Sequence, residues 1–350
     1  MTLVALNAGS STIKYAIFDV QGGEPTLRER AVLEGSRADV ALAELSGKLT
    51  GAPAAVAHRI VHGGARYSAS VRVDDAVRDA LLALVPMAPL HQPASLACLE
   101  AARAAFPASV HVACFDTAFH RTHPEVADWF AIPREFHAQG IRRYGFHGLS
   151  YANVATQFPE GRVVCLHLGN GASACAMRDG KSQASSMSFS VLDGLPMGTR
   201  PGQLDAGVLV HWLREGRTPA EIERVLYKES GLRGLSGTSS DMRTLLATDT
   251  AEARFAVEYF VHYLVREVGA MAAALGGVDT LVFTGGIGEH AAPIRERVVR
   301  ALEWLGFALD EAANAAHARC ITTAASARRA CIVAADEEGM MVREALRLLE

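Results

Sequence analysis

A strand, a glycine-rich turn and a second strand occur in the same order twice in this chain. Leu3 to Leu6 is apolar, Asn7-Ala8-Gly9-Ser10-Ser11 reads as a turn, and Ile13 to Val20 returns in β-favouring residues. From Arg162 to Gly180 the apolar run VVCLH passes into Leu168-Gly169-Asn170-Gly171, resumes as ASACAM and ends in the turn Arg178-Asp179-Gly180. Laying Asn7 over His167 brings Gly9 onto Gly169. One glycine turn between apolar runs is common in α/β proteins; two of the same design point to a duplicated domain.

Helical patterns lie between and after the repeats: Asp74 to Leu84, Ser95 to Ala105, Ala206 to Arg214, Pro219 to Tyr227 and Ala251 to Leu275. Strands alternating with helices predict an α/β class. A third glycine turn, Gly285-Gly286-Ile287-Gly288-Glu289, follows the strand-like Thr280 to Thr284, and a helix with Pro293 in its first turn comes next. Its exposed amides would face an anion. Ala330 to Ala335 reads as a strand and Met340 to Leu349 as an amphipathic helix.

The 350 residues, 50% hydrophobic and 21% charged, suit a soluble protein with a sizeable core and two domains. With 34 basic and 38 acidic residues interspersed, no basic tract offers itself to nucleic acid or an anionic membrane, which favours a small-molecule partner. MTLVALNAGSSTIK has no signal-peptide layout, and the longest apolar runs are broken by Pro or Gly, so a cytoplasmic location is expected. The six cysteines form no C-x-x-C pair, and most sit in apolar strand-like runs as buried thiols would. Thirteen histidines raise the question of zinc, but there is no H-E-x-x-H, and His58 and His62 do not share a helix face.

Three glycine turns at strand ends, with Ser10, Ser11, Thr12 and Lys14 beside the first, would present backbone N–H groups to a polyphosphate. The G-x-x-x-x-G-K-[ST] loop and the H-R-D and D-F-G sets are absent, which disfavours P-loop and protein-kinase folds. Asp116 follows the apolar run Val110 to Phe115 and would emerge at the carboxyl edge of a sheet, as a site carboxylate or a helix N-cap. Arg59 and Arg200 abut glycine-rich loops, where a guanidinium can fork onto carboxylate or phosphoryl oxygens. His147, in Arg143-Tyr144-Gly145-Phe146-His147-Gly148, fits a structural or a catalytic role equally.

Together these segments resemble the acetate kinase family, within the acetate and sugar kinase, Hsp70 and actin superfamily. The signatures are Asn7-Ala8-Gly9-Ser10-Ser11-Thr12-Ile13-Lys14 and His167-Leu168-Gly169-Asn170-Gly171-Ala172-Ser173, with HRIVHGG, PLHQP, FDTAFH, RRYGFHG, GLPMGTRPG, SGTSSDMR, GGIGEH and DEEG in the family's order. The resemblance implies two duplicated ribonuclease-H-like domains around a nucleotide cleft, over residues 1–119 with 338–350 and over 120–337. It also implies a homodimer, ATP and ADP as co-substrates, Mg²⁺ with Mn²⁺ able to replace it, and reversible formation of acetyl phosphate.

Carried over by residue, Asn7 and Glu337 would hold the magnesium. Lys14, His167, Leu168, Gly169, Asn170, Gly171, Asp241, Met242, Arg243, Gly286, Ile287, Gly288, Glu289 and His290 would surround the nucleotide. Arg59 and His91 would face the carboxylate substrate, Asp116 would be the catalytic aspartate, and His147 and Arg200 would stabilise the transition state. Closure of the two domains on ligand is expected, to exclude water.

The sequence departs from the family pattern in places. The stretch between the first turn and HRIVHGG is short, and the usual D-T-S-M-G-F-T-P-L-E-G reads Ala184-Ser185-Ser186-Met187-Ser188-Phe189-Ser190-Val191-Leu192-Asp193-Gly194. Tyr151 stands where a second histidine is usual, and His290 where GIGEN has asparagine. Propionate or butyrate differs from acetate by one or two methylenes, each giving about 1–3 kcal/mol of discrimination. The rival from another class is an Hsp70- or actin-like ATPase that drives partner binding.

Overall fold

The computed structural model describes residues 1–9, 12–34, 38–89 and 91–350. Ser10, Ser11 and Leu90, which belong to the motifs above, lie outside the described residues. The chain forms two compact units, one of residues 1–121, 147–153 and 336–350, the other of residues 122–146 and 154–335.

The first unit carries β1 (Thr2–Ala8), β2 (Thr12–Gln21), β3 (Glu24–Glu34), β4 (Ala55–Ile60), β5 (Val71–Arg72) and β6 (Val110–Phe115), in the order β3-β2-β1-β4-β6-β5. The second carries β7 (Arg162–Leu168), β8 (Ala172–Arg178), β9 (Lys181–Ser185), β10 (Thr280–Thr284) and β11 (Arg329–Ile332), in the order β11-β10-β7-β8-β9. In each, the leading strand pairs antiparallel with the second, the second antiparallel with the third in a meander, and the leading strand also pairs parallel with a strand reached through a helical crossover. β3-β2-β1-β4-β6 is therefore the same pattern as β9-β8-β7-β10-β11, and the repeat read from the sequence is a repeat of topology.

The registers agree as well. Ala8 pairs with Ile13 and Leu168 with Ala172, so Asn7 and His167 each sit one residue back from the last pair before a turn. The first turn is one residue longer than the second.

Alternation along β1 sorts the first core into two faces. Leu3 and Ala5, with Ala57 and Cys114, pack against Met341, Val342 and Ala345 of the helix Glu337–Leu349. Val4 and Leu6, with Ile17 and Val56, pack against Leu42 and Leu45 of the helix Ala38–Lys48 and Cys98 and Ala102 of the helix Gln92–Ala105. In the second unit the helix Ala251–Leu275 starts at a Thr250 cap and stops at Gly276 in the left-handed conformation. Its buried residues, from Ala253 through Phe260 and Leu264 to Leu275, recur at helical spacing, and the helix packs on β7, β8 and β9 as well as on neighbouring helices.

Three expectations are corrected. Gly285–His290 is a short helix entered straight from β10, with Gly285 alone at positive φ, +76°; a side chain there would meet the Leu168 carbonyl at 2.8 Å. The helix from Pro219 is regular to Arg224 and then widens into a π-helical turn, Val225–Glu229. β11 ends at Ile332 rather than Ala335, although Val333 N–H still donates to Phe283 O. Among the described residues no helix is long and apolar enough to cross a membrane.

Candidate active site

In the first unit, parallel pairing of β1, β4 and β6 brings three polar positions together: Asn7 on β1, Arg59 on β4 and Asp116 just past β6. Arg59 forks onto Asp116, Nε to Oδ1 at 2.9 Å and Nη2 to Oδ2 at 2.6 Å. Its Nη1 lies 3.3 Å from both Asn7 Oδ1 and Glu337 Oε2, and Asn7 Nδ2 donates to Glu337 Oε2 at 3.5 Å. Asp116 thus holds a guanidinium.

Its main-chain carbonyl accepts from Gly148 N–H at 2.9 Å, and its carboxylate takes the His147 N–H. His147 adopts φ of 58°, and a Cβ on Gly148 would stand 2.2 Å from the Asp116 carbonyl oxygen, so the His147-Gly148 pair is shaped to this carboxylate.

Burial pushes the Asp116 carboxyl above the usual carboxylate range against the pull of Arg59, and the Glu337 charge adds to the push. Burial by itself would lower the Arg59 pKa, but Asp116 and Glu337 more than offset it and hold the guanidinium charged. Asn7, Asp116 and Glu337 supply amide and carboxylate oxygens of the kind a small hard cation takes, but Arg59 sits on all three, and among the described residues no group of three His, Cys, Asp or Glu is gathered to hold a metal. His91 opens the helix Gln92–Ala105. Its neighbour Gln92, which sequence reasoning missed, accepts from His62 N–H at 3.3 Å and donates to His62 O at 3.2 Å, fixing this helix to the loop after Arg59. Lys14 is exposed on β2, opposite Asn7.

The second unit holds a cavity of about 700 Å³. Eight of the predicted nucleotide residues line it: Gly169, Asn170, Asp241, Met242, Arg243, Gly286, Ile287 and His290. His167, Leu168, Gly171, Gly288 and Glu289 do not. Leu168 is buried, Gly288 packs on Phe283, and Glu289 Oε1 accepts from Ala335 N–H at 3.0 Å. Ser240, Leu246, Ala247, Ala291 and Pro293 complete the lining; Leu246 and Ala247 belong to the helix that Asp241 caps, so the cap in the sequence was the available signal.

Asp241 accepts from Arg243 and Thr244 N–H, and Arg243, together with these amides, holds its carboxyl down to about 2. The turn at 169–171 closes through Gly169 N–H to Gly171 O at 2.9 Å and takes Gly198 N–H on Asn170 O at 3.0 Å. A Cβ on Gly198 would meet Asn170 Oδ1 at 2.2 Å, which explains the glycine in GLPMGTRPG.

Sequence reasoning also missed Arg295. It is fully buried, and its Nε and Nη2 donate to Asn314 Oδ1 and O, both at 2.9 Å, while Nη1 donates to Gly288 O and Glu289 O, both at 2.9 Å. His317 Nδ1 lies 3.0 Å from Nη2. These bonds satisfy carbonyls at the end of the helix Gly285–His290, which a chain this short cannot satisfy itself.

Arg200 is different. Burial lowers its pKa to about 10, Tyr227 opposing, and Nη1 donates to Val191 O at 2.7 Å. Among the described residues it forms no ion pair. A carbonyl serves here whether residue 191 is the family's usual proline or valine. Tyr151, at the usual histidine position, is buried edge-on to His120 with ring centroids 5.6 Å apart.

Comparison with known proteins adds a family. The model of the Acetokinase family matches residues 38–343. An acetate kinase of Methylocella silvestris is 46% identical, covering 99% of this chain and 98% of its own, and one of Nitrobacter hamburgensis is 44% identical over 99% and 96%. Among solved structures, a propionate kinase from Francisella tularensis superposes with a TM-score of 0.90 at 34% identity, covering 98% of each chain. Porphyromonas gingivalis acetate kinase gives 0.89 at 33% identity over the full length of both.

Proposed function

The chain belongs to the acetokinase family, and from that membership we propose that it transfers the γ-phosphoryl group of ATP reversibly to acetate, giving acetyl phosphate and ADP. It has the two similar α/β domains of the actin-like ATPase fold. Phosphoryl transfer leaves little covalent work for side chains, so positioning and charge neutralisation dominate.

In this reading the cavity lined by Gly169, Asn170, Asp241 to Arg243, Gly286, Ile287 and His290 holds the nucleotide, with the 167–171 turn serving its phosphates. Asn7 and Glu337 would hold Mg²⁺, which would supply positive charge to offset that of the phosphates. Arg59 and His91 receive the acetate. Acetate is already ionised at neutral pH, so Asp116 has no proton to remove; it orients Arg59 and the metal's surroundings. His147 and Arg200 meet the charge that develops on the transferring group.

The observation that carries this reading is Arg200, a half-buried guanidinium, desolvated enough to lower its pKa, with no carboxylate on it among the described residues. A charge buried without a counter-ion is costly unless an anion completes the site. Propionate is the second reading, favoured by the Francisella tularensis structure, while the curated relatives at 42–46% identity carry the acetate kinase name. A homodimer and a cytoplasmic location belong to the same proposal; the exposed apolar side chains Val210, Leu213 and Phe255 support the first.

The test is to incubate the protein with Mg-ATP and acetate, propionate, butyrate or no acid, trapping acyl phosphate as its hydroxamate. Product with acetate or propionate and none without acid supports the kinase, and the ratio names the substrate. ATP consumed equally without acid, or not at all, would overturn it.

A further inference from the structure

Two cysteines of the second unit face each other across an antiparallel bridge: Cys320 and Cys331, the latter on β11. Ile321 N–H donates to Ala330 O and Ile332 N–H to Arg319 O, both at 2.9 Å. Those bonds flank the cysteine pair, so the two residues exchange none between themselves. A pair of this kind holds its Cα atoms about 4.5 Å apart with both side chains on one face, within the roughly 4.4–6.8 Å that a disulfide spans.

We propose that Cys320 and Cys331 are a reversible dithiol–disulfide couple that fastens the covered edge of the second sheet. β11 is the outer strand of that sheet, and the segment around residues 319–322 lies along its open side. A bond here would lock an otherwise isolated bridge.

Access and reactivity differ between the two sulfurs in the way such a couple needs. Cys320 is exposed, Cys331 buried. The Cys320 Sγ lies 3.4 Å from Thr322 Oγ1. Although burial works against it, hydrogen bonds from Thr322 and from the Cys331 thiol, with the Arg329 charge, bring the Cys320 pKa below the ordinary thiol value. Burial pushes Cys331 up to about 11.

The oxidant is a low-molecular-weight disulfide, RSSR. The Cys320 thiolate attacks one of its sulfurs, forming Cys320–S–SR and expelling RS⁻. Cys331 then gives up its proton and attacks the Cys320 sulfur, forming the intramolecular bond and expelling the second RS⁻. Two protein thiols are oxidised and one RSSR is reduced to two RSH. The high pKa of Cys331 makes the second step the slower, so the mixed disulfide is transient. Cys165 and Cys175 are also register partners, on β7 and β8, but both are fully buried and no oxidant reaches them in the folded protein.

The experiment incubates the reduced protein with oxidised glutathione, quenches with acid, alkylates and maps the peptides. A Cys320–Cys331 linked peptide is expected, reversed by excess reduced glutathione, with Cys165 and Cys175 still alkylated. Oxidation should slow hydrogen exchange at the Ile321 and Ile332 amides severalfold. Cys320→Ser, an exposed and structurally mild change, should take up neither glutathione nor a crosslink, and Cys331→Ala should stop at the glutathione adduct on Cys320. A wild-type protein that stays reduced or stops at that adduct, or a Cys320→Ser protein oxidised as fast as wild type, would overturn the proposal.

Discussion

Two arginines of the same unit, Arg295 fully buried and Arg200 half-buried, show how one side chain serves different ends. Arg295 has every nitrogen engaged by a carbonyl, an amide oxygen or an imidazole. Arg200 has one carbonyl. Burial lowers both to about 10, and neither forms an ion pair among the described residues. Arg295 is complete as it stands; Arg200 has donors left for a ligand. Arg200→Ala should therefore keep its fold by circular dichroism and lose about 10²–10³-fold in kcat. An unchanged turnover number would remove Arg200 from the mechanism. Arg295→Met should act on nucleotide binding instead. Hydrogen bonds to a charged group are worth about 1.5–3 kcal/mol, so loosening the Gly285–His290 helix should raise KM for ATP about tenfold or more. KM for acetate should stay within about twofold in the same steady-state titrations. A parallel rise in both would mean general unfolding.

The loop after β4 carries a pH dependence that belongs to the element. His62 is fully buried and accepts the Gly64 N–H on Nδ1 at 2.9 Å, which requires that nitrogen unprotonated. Burial, then the Arg121 charge, lowers its pKa from 6.5 to about 4. The folded state stays neutral while the unfolded chain takes up a proton, so the His62 contribution is full above pH 6.5 and is lost as pH falls towards 4. The loss amounts to about 3 kcal/mol. His62→Asn, which keeps an acceptor for Gly64, should flatten urea-derived stability between those pH values by about that amount; an unchanged slope would assign the acid sensitivity elsewhere.

Elements also differ in how openly the sequence declares them. Ala251–Leu275 and Ala206–Arg214 have the bounds their apolar spacing and caps predict. β3, by contrast, is the unforeseen strand EPTLRERAVLE, rich in helix-forming Glu, Arg, Leu and Ala. It is a strand because Gly22 and Gly23, both at positive φ, turn it back onto β2. The Gly285 segment looked like a turn because glycines dominate it, and the arginine that holds it helical lies several residues further on. Of the site, the motif residues were legible one by one. The fork from Arg59 to Asp116 was not, since it depends on the parallel register of β4 and β6.

For the molecule as a whole, the helix Ala206–Arg214 buries none of its residues and exposes Val210 and Leu213. Apolar side chains on one exposed face mark an association surface. Light scattering should give about twice the 37.2 kDa chain mass, and the double change Val210→Glu with Leu213→Glu should return it to the monomer value. A wild-type monomer at micromolar concentration would dismiss the dimer.

The helix Glu337–Leu349 has a consequence for how the chain is made. Met341 and Val342 are fully buried against Leu3, Ala5 and Ala57, and each such side chain contributes about 1.5–3 kcal/mol. Yet residues 337–349 leave the ribosome after every strand of the described residues. The sheet translated first thus keeps one apolar face bare until translation has passed residue 345, while the unit of residues 154–335 already has its strands and long helix. Against the usual N-terminal-first order of folding during synthesis, this sheet should be sealed after the second one, and a chaperone on the nascent chain should find its binding surface near residues 3–5 and 55–57.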